Sequence, residues 1–236
     1  MDKRVIVMVP TYNEAENIEE LINKLRALDV EVLVVDDRSP DRTWEIVQRI
    51  AEKDPKVHLL VRDENPGRGY AGRDGFIKAL EMGADIIVEM DADLSHRPEE
   101  LPKLLEALEK GGYDIILGSR LVEGGQDVGR SWLRRFLTKV SCAYARFVLG
   151  INVRDINSGY RVFTREAMKK IDPYRIRSAG PAIVHESLYY AHKAGLKIGE
   201  VPITFVERQR GESNLGVRRL IESALRDLKL RITGHG

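Results

Sequence analysis

The sequence from Val5 to Glu14 is Val-Ile-Val-Met-Val-Pro-Thr-Tyr-Asn-Glu, a short β-branched run that ends in a polar turn. The same order recurs along the first half of the chain. Further strand-like runs lie at 31–35, 57–61, 86–90 and 115–117, and helical patterns lie at 15–27, 42–53, 70–82 and 98–110. Strands that alternate with helices in this way predict βαβ units around a mostly parallel sheet. The fold class is therefore expected to be α/β.

The second half of the chain is less regular. It contains a loop around Gly124, a turn at 157–159 and a strand-like run at 200–206. Three helical patterns complete it, at 130–149, 182–194 and about 215–232. The first and the last of these are basic and amphipathic, so each carries an apolar face beside a positively charged one.

Length and composition favour one domain in a reducing compartment. With 236 residues, 43% of them hydrophobic, the chain can bury a substantial core. No run of about 18 uncharged apolar residues occurs, and no signal peptide precedes Val5. The single cysteine, Cys142, excludes an internal disulfide. We therefore expect a cytoplasmic protein without a transmembrane helix.

The net charge of +1 hides an asymmetry between the two halves of the chain. Residues 1–117 carry a net charge of −10 and residues 118–236 carry +11. An acidic half can hold a metal ion, whereas a basic half attracts phosphates or an anionic membrane surface. The alternative is that solvated charges are only unevenly shared, because charge blocks often serve solubility.

Acidic and polar residues follow three of the predicted strands. Residues 10–14 follow the first strand, Asp36 and Asp37 the second, and Asp91 and Asp93 the fourth. The carboxyl ends of parallel strands open on one edge of a sheet, where ligands of α/β proteins bind. Two carboxylates spaced by one residue can approach a hard cation that keeps phosphate and water oxygens as its other ligands. The pattern predicts a Mg²⁺ or Mn²⁺ diphosphate site.

These segments carry a resemblance to a known family. In chain order, residues 9–14, 35–37, 91–94 and 118–120 resemble the family 2 glycosyltransferases of GT-A fold. Residues 155–161 (Asp-Ile-Asn-Ser-Gly-Tyr-Arg) and 200–213 are similar, more narrowly, to dolichol-phosphate and polyprenol-phosphate mannose synthases. The resemblance implies a Rossmann-like sheet in a single domain. It also implies a nucleotide-sugar-binding half at 1–117 and an acceptor-binding half at 118–236.

The resemblance assigns roles to individual residues. Those implied to bind the nucleotide sugar are Pro10, Tyr12, Glu14, Asp36, Asp37 and Asp91. Asp91 and Asp93 are implied as metal ligands, and together with Arg120 as the catalytic residues. Ser95 falls where many relatives have glutamine. The alternative is that Pro10 and Tyr12 serve only turn formation and packing.

Basic residues of the second half are implied to hold an acceptor phosphate: Arg120, Arg134, Arg208, Arg210 and Ser213. Arginine suits phosphate oxygens because its planar guanidinium offers paired donors, although such residues are commonly solvated surface. Asn214 stands where relatives often have lysine. A phosphate acceptor is already an anion, so no dedicated catalytic base is expected. A hydroxyl acceptor would need one, and Asp155 and Glu186 are the candidates.

The implied activity is inverting transfer of mannose from GDP-mannose to a dolichyl or polyprenyl phosphate. UDP-glucose is the alternative donor, and a hydroxyl of a surface polysaccharide is the alternative acceptor. Two hypotheses belong to other classes: a non-catalytic nucleotide-sugar-binding partner subunit, and a dehydrogenase, because residues 67–72 match G-x-G-x-x-G. No nucleic acid partner is expected.

The amphipathic segments at 130–149 and 215–232 suggest how the chain reaches a lipid. The first contains Trp132, Phe136 and Phe147 beside basic residues. Such helices can lie in a membrane interface, which predicts a peripheral protein at the cytosolic face. Alternatively they pack on the sheet or on a second subunit, and a separate membrane-anchoring protein brings the enzyme to the lipid.

Overall fold

The computed structural model describes residues 3–207 and 217–234. Their strands are β1 Val5–Thr11, β2 Glu31–Asp36, β3 Val57–Val61, β4 Ile86–Glu89, β5 Ile115–Ser119, β6 Gln126–Val128, β7 Arg161–Thr164, β8 Ile198–Pro202 and β9 Thr204–Val206. Their α-helices are α1 Ile18–Arg26, α2 Thr43–Ala51, α3 Arg68–Glu81, α4 Leu101–Gly111, α5 Trp132–Leu149, α6 Arg165–Ile171, α7 Ile183–Lys193 and α8 Val217–Thr233.

Seven strands form the central sheet, in the order β3-β2-β1-β4-β7-β5-β8. β1 pairs in parallel with β2 and β4, β2 with β3, and β5 with β8. The exception is β7, which lies antiparallel between β4 and β5. The prediction of an α/β fold with a mostly parallel sheet is confirmed, whereas β7 and the helix α6 that follows it were not predicted.

Side chains of each central strand alternate between two hydrophobic clusters, one on each face of the sheet. On β1, Val7 and Val9 pack on the side of α1 and α4, while Ile6 and Met8 pack on the side of α3 and α7. Period-two alternation explains this division. Because both faces are covered, β1 is apolar along nearly its whole length, as expected for a parallel strand.

A second, two-stranded sheet of β6 and β9 lies beside the loop that follows β4. Val206 N donates to the carbonyl oxygen of Ser95 at 3.0 Å, and His96 pairs with Phe205 in an isolated bridge. These contacts of β9 bring the second half of the chain beside the loop that carries Asp91 and Asp93.

Helices α5 and α8 pack against each other on the outside of the molecule. Tyr144 of α5 donates its hydroxyl to the carbonyl oxygen of Ala224 at 3.1 Å, and Asp227 of α8 is buried against His185 of α7 at 2.8 Å. Within 3–207 and 217–234, no helix combines the length and the apolar character needed to cross a membrane.

Candidate active site

The carboxyl ends of β1, β2 and β4 meet at one edge of the sheet, as the sequence predicts. The register pairs Thr11 with Asp36 across β1 and β2, and Met8 with Glu89 across β1 and β4. A cleft of about 490 Å³ opens at this edge. The predicted site residues that line it are Pro10, Tyr12, Glu14, Asp37, Asp91 and Asp93. Side chains from three separate loops therefore face one space.

Asp36 and Asp37 have different environments although they are neighbours. Asp36 is fully buried behind the cleft, where its carboxylate accepts hydrogen bonds from Thr11 Oγ1 at 2.8 Å and from Ser39 N and Oγ at 2.7 Å. Asp37 lines the cleft, accepts from Gly67 N at 2.6 Å, and pairs with the guanidinium of Arg62. Asp36 thus holds the two loops together, so any contribution to nucleotide binding would be indirect.

Asp91 and Asp93 lie on the loop after β4, both facing the cleft. Asp91 Oδ1 accepts from Arg68 Nη2 at 2.9 Å, and Asp93 Oδ1 accepts from Ser95 N at 3.0 Å. The other oxygen of Asp91 lies against Gly159, where a Cβ atom would come within 2.8 Å of it. A glycine is therefore required there for the carboxylate to keep its position.

The charges around Asp91 keep it ionised at neutral pH. Burial acts to raise the pKa of the Asp91 carboxyl, but the charge and hydrogen bond of Arg68, together with His96 and Arg161, outweigh burial, and the pKa lies below its ordinary value. Burial lowers the pKa of the neighbouring His96, although Asp91 and Asp93 act in the opposite direction. His96 is 3% exposed, and its Nδ1 lies 3.9 Å from Asp91 Oδ2 with no hydrogen-bond partner among the described residues.

These residues fit a hard divalent cation. Two carboxylates face the cleft, Gly159 leaves room for that of Asp91, and the guanidinium of Arg68 shows that this carboxylate accepts a cation. Within the described part of the chain, no three His, Cys, Asp or Glu side chains are grouped so as to hold a metal on their own. Mg²⁺ that acts on phosphates is commonly held by one or two carboxylates plus phosphate and water oxygens.

A chain of alternating charges, which the sequence analysis missed, extends from this site into the core. Arg68 Nη1 donates to Glu89 Oε1 at 2.6 Å, and the other Glu89 oxygen pairs with Arg161. Glu89 and Arg161 are both 0% exposed. The glutamate inside the apolar run of β4 could have indicated this chain, because a buried carboxylate needs a cationic partner.

The structure places Arg120 against Asp155. Its Nε and Nη2 donate to the two Asp155 oxygens at 2.7 and 2.8 Å, and its guanidinium lies 4.9 Å from the ring centre of Phe205. Burial acts against the charge of Arg120, but the hydrogen bond and charge of Asp155, together with the weaker effects of Cys142 and Asp127, raise the pKa of Arg120 above its ordinary value. Arg120 does not line the cleft, so its role at an acceptor phosphate stays a prediction.

The other predicted phosphate-binding residues lie at or beyond the limits of the described segments. Arg134 is partly exposed on α5 and pairs with Glu207, the last described residue before the gap. Arg208, Arg210 and Ser213 lie outside the described residues. Their predicted contact with the acceptor stays a prediction.

Both candidate bases for a hydroxyl acceptor are engaged within the protein. Asp155 is fully buried and holds Arg120. Glu186 is 1% exposed and accepts hydrogen bonds from Arg177 N at 3.0 Å, Ser178 N at 2.9 Å and the Tyr190 hydroxyl at 3.0 Å. Neither lines the cleft, so the geometry disfavours them as general bases.

The glycines of the G-x-G-x-x-G match pack against the protein itself. A Cβ atom at Gly69 would lie 1.9 Å from the carbonyl oxygen of Ser178, and one at Gly67 would lie 2.5 Å from that of Ala179. In a dinucleotide fold such glycines admit the pyrophosphate. Here their space is taken by the segment before α7, which argues against the dehydrogenase hypothesis.

Comparison with known proteins decides the family. Residues 6–172 match the sequence model of glycosyl transferase family 2. The chain belongs to this family. It is 42% identical over 214 residues to the undecaprenyl-phosphate mannosyltransferase of Micrococcus luteus, which covers 90% of this chain and 87% of that protein. It is 39% identical over 237 residues to the polyprenol monophosphomannose synthase of Mycolicibacterium smegmatis, covering 99% and 87%.

A solved structure supports the fold of this family 2 glycosyltransferase. The glucosyl-3-phosphoglycerate synthase of Mycobacterium tuberculosis, crystallised with Mn²⁺ and UDP-glucose, superposes with a TM-score of 0.69 at 23% identity. The match covers 99% of this chain and 80% of that one. At this identity the likeness concerns the fold, and the expected GT-A architecture is confirmed.

Proposed function

We propose that this enzyme transfers mannose from GDP-mannose to a polyprenyl phosphate with inversion at the anomeric carbon. The observation that carries the proposal is the cleft in which Asp91 and Asp93 face the loops that end β1 and β2. The names of the two relatives at 42% and 39% identity support mannose as the sugar and a polyprenyl phosphate as the acceptor. Under this proposal residues 1–117 supply most of the donor site and residues 118–236 the acceptor site.

The cleft residues divide by chemistry into two ends. The base and ribose would be held by an exposed aromatic ring and by carboxylates that accept hydrogen bonds from their neutral donor groups. The residues are Pro10, Tyr12, Glu14 and Asp37. Asp91 and Asp93 would hold Mg²⁺ or Mn²⁺ with the diphosphate. When bound, the cation neutralises charge on the departing nucleoside diphosphate.

In the proposed reaction an acceptor phosphate oxygen forms a bond to the anomeric carbon as the bond from that carbon to the donor diphosphate breaks. The acceptor oxygen is already deprotonated at neutral pH, so the protein needs only to position two anions in line. The engagement of Asp155 and Glu186 inside the protein agrees with a reaction that uses no dedicated base. The acceptor phosphate would be held by Arg120, Arg134, Arg208, Arg210 and Ser213.

We propose further that α5 and α8 rest on an anionic membrane surface, where the lipid acceptor resides. Apolar side chains of both helices point outward: Trp132 and Phe147 are 73% and 88% exposed, and Ile232 is 74% exposed. Basic residues interleave with them, namely Arg135, Lys139, Arg226, Lys229 and Arg231, all exposed. An outward apolar face rimmed with positive charge suits an anionic interface.

Vesicle binding tests the membrane proposal. The chain has two tryptophans. Trp132 lies on this face, whereas Trp44 lies on a different helix, α2. Vesicles of anionic phospholipid should shift the fluorescence of a Trp44→Phe variant to the blue and leave a Trp132→Phe variant unchanged. Equal spectra with and without anionic vesicles for Trp44→Phe would refute the membrane contact and favour a partner protein on this surface.

Parallel transfer assays test the donor and the acceptor class. Purified enzyme with Mg²⁺ or Mn²⁺ would be given GDP-mannose or UDP-glucose, and either a short polyprenyl phosphate or the matching polyprenol. Product only from GDP-mannose and the phosphate is expected. Product from UDP-glucose would show that UDP-glucose is the donor, the nucleotide sugar bound in the M. tuberculosis structure. Product from the alcohol would overturn the phosphate acceptor and the base-free mechanism.

A further inference from the structure

The backbone of Arg68, at the start of α3, is held on both sides. Gly67 N donates to Asp37 Oδ2 at 2.6 Å, and Gly69 N donates to the carbonyl oxygen of Ala179 at 2.8 Å. The two glycines fit so closely against Ala179 and its neighbours that no Cβ could be added to either. The position from which the Arg68 side chain extends is therefore fixed.

The guanidinium of Arg68 is held from the core as well. Its Nη1 donates to Glu89 at 2.6 Å, and the second Glu89 oxygen pairs with Arg161. Glu89 has no contact with solvent. If Arg68 turned away, a buried carboxylate would lose a cationic partner, which is costly in a low-dielectric interior. Arg68 therefore stays in place whether or not a ligand is bound.

A second nitrogen of the Arg68 guanidinium is directed at the cation site. Arg68 Nη2 lies 2.9 Å from Asp91 Oδ1, and the Arg68 side chain is still 24% exposed at the cleft. A divalent cation that binds Asp91 must share this carboxylate with a fixed positive charge a few ångströms away. Like charges at such distances repel appreciably even where the site is partly open to solvent. A diphosphate adds negative charges that offset both cations.

We propose that Arg68 is a permanent counter-ion of Asp91 that keeps the cation site weak until the diphosphate of the donor arrives. Metal and nucleotide then bind together, and neither binds well alone, because the coupling between two ligands is reciprocal. The inference rests on the proposed function, in which Asp91 and Asp93 hold the cation. Arg68 is then a positioning residue that controls metal binding, in addition to its structural role.

Binding of Mn²⁺ alone tests the inference without any transfer reaction. Free Mn²⁺ would be measured by electron paramagnetic resonance during titration of the full chain, first without nucleotide and then with GDP. Arg68→Gln removes the charge but keeps an amide donor for Glu89, and Arg68→Lys keeps the charge. Arg73→Gln is the matched control, because Arg73 lies on the same helix but pairs with Asp74.

Without nucleotide, Arg68→Gln should bind Mn²⁺ at least about tenfold more tightly than the wild type, as expected for the loss of a like charge nearby. Arg68→Lys and Arg73→Gln should stay within about twofold of it. GDP should then raise Mn²⁺ affinity less in Arg68→Gln than in the wild type. Circular dichroism verifies the fold, and Arg68→Met is the second uncharged variant if the glutamine variant does not fold.

Two negative results have different meanings. If Mn²⁺ alone binds Arg68→Gln and the wild type equally, while GDP strengthens Mn²⁺ binding in both, the counter-ion role is wrong and the proposed function stands. If Mn²⁺ binds neither protein, with GDP or with UDP, the cation site itself is absent and both proposals fall.

Discussion

The buried charges of Glu89 and Arg161 make the most quantitative prediction. Glu89→Gln would leave Arg161 fully buried without its carboxylate, with Ser187 and the carbonyl oxygen of Val184 as its remaining acceptors. Removal of one partner of a buried ion pair costs about 3–5 kcal/mol. For a chain of 236 residues each kilocalorie lowers the melting temperature by about 2–4 °C. The variant should therefore melt roughly 6–20 °C below the wild type.

Thermal unfolding followed by circular dichroism measures this difference. The matched control is Glu20→Gln, because Glu20 forms an exposed pair with Lys24 on α1, at 2.9 Å, and such helical pairs contribute about 0.3–0.5 kcal/mol. Its melting temperature should change by less than about 2 °C. If Glu89→Gln melted as close to the wild type as Glu20→Gln does, the charge chain would not stabilise the site, and the fixed position of Arg68 would lose its support.

Three further predictions concern the site, the acceptor and the core. Gly159→Ala should lower kcat/KM at least about tenfold with an unchanged circular dichroism spectrum, because the new Cβ displaces Asp91; unchanged kinetics would contradict that geometry. Arg134→Gln should raise the KM for polyprenyl phosphate about tenfold and leave the KM for the donor unchanged, whereas Arg146→Gln, on the same helix but bonded to Asn152, should alter neither. Burial raises the pKa of the Cys142 thiol to about 12, so a thiol reagent at pH 8 should label it only after denaturation. Because the unfolded thiol titrates near its ordinary pKa of 9.0, it loses its proton first, and stability should decline above that pH; rapid labelling of the native protein would show that the thiol is accessible.

The sequence predicts the first five strands well because each is an apolar run between helical patterns. The strand Val57–Val61 has the predicted bounds. β1 continues two residues past its predicted end at Val9, to Thr11. β7 escapes prediction because it has only four residues and begins with Arg161, a charged residue whose partner Glu89 lies on another strand. Its position between β4 and β5 depends on contacts between distant parts of the chain.

The candidate site is predicted where its residues follow strand ends, as Asp37, Asp91 and Asp93 do. It is not predictable where pairing decides the role of a side chain. Arg68 and Arg120 look alike in the sequence, but Arg68 lies in the cleft and Arg120 lies against Asp155. Such partners are far apart along the chain, so spacing and periodicity give no signal for them.

The sequence also does not predict which face of helix α8 is buried. The sequence predicts an apolar stripe on α8, and its Leu225, Leu228 and Ile232 are exposed, while Asp227 is buried against His185. A buried aspartate on a helix with outward apolar side chains is the reverse of the usual pattern. Asp227 and Leu230 form the buried side of α8, and the sequence does not reveal the residues that cover them.

Mannose transfer from labelled GDP-mannose to a short polyprenyl phosphate, followed by extraction of the lipid product, tests whether the cleft is the active site. It compares the wild type with Asp93→Asn, and with Asp63→Asn as a surface control, since Asp63 pairs with Arg38 outside the cleft. We expect a metal-dependent mannolipid from the wild type and Asp63→Asn, and at least about a hundredfold less from Asp93→Asn. Equal product from Asp93→Asn and the wild type would show that this cleft is not the site of transfer.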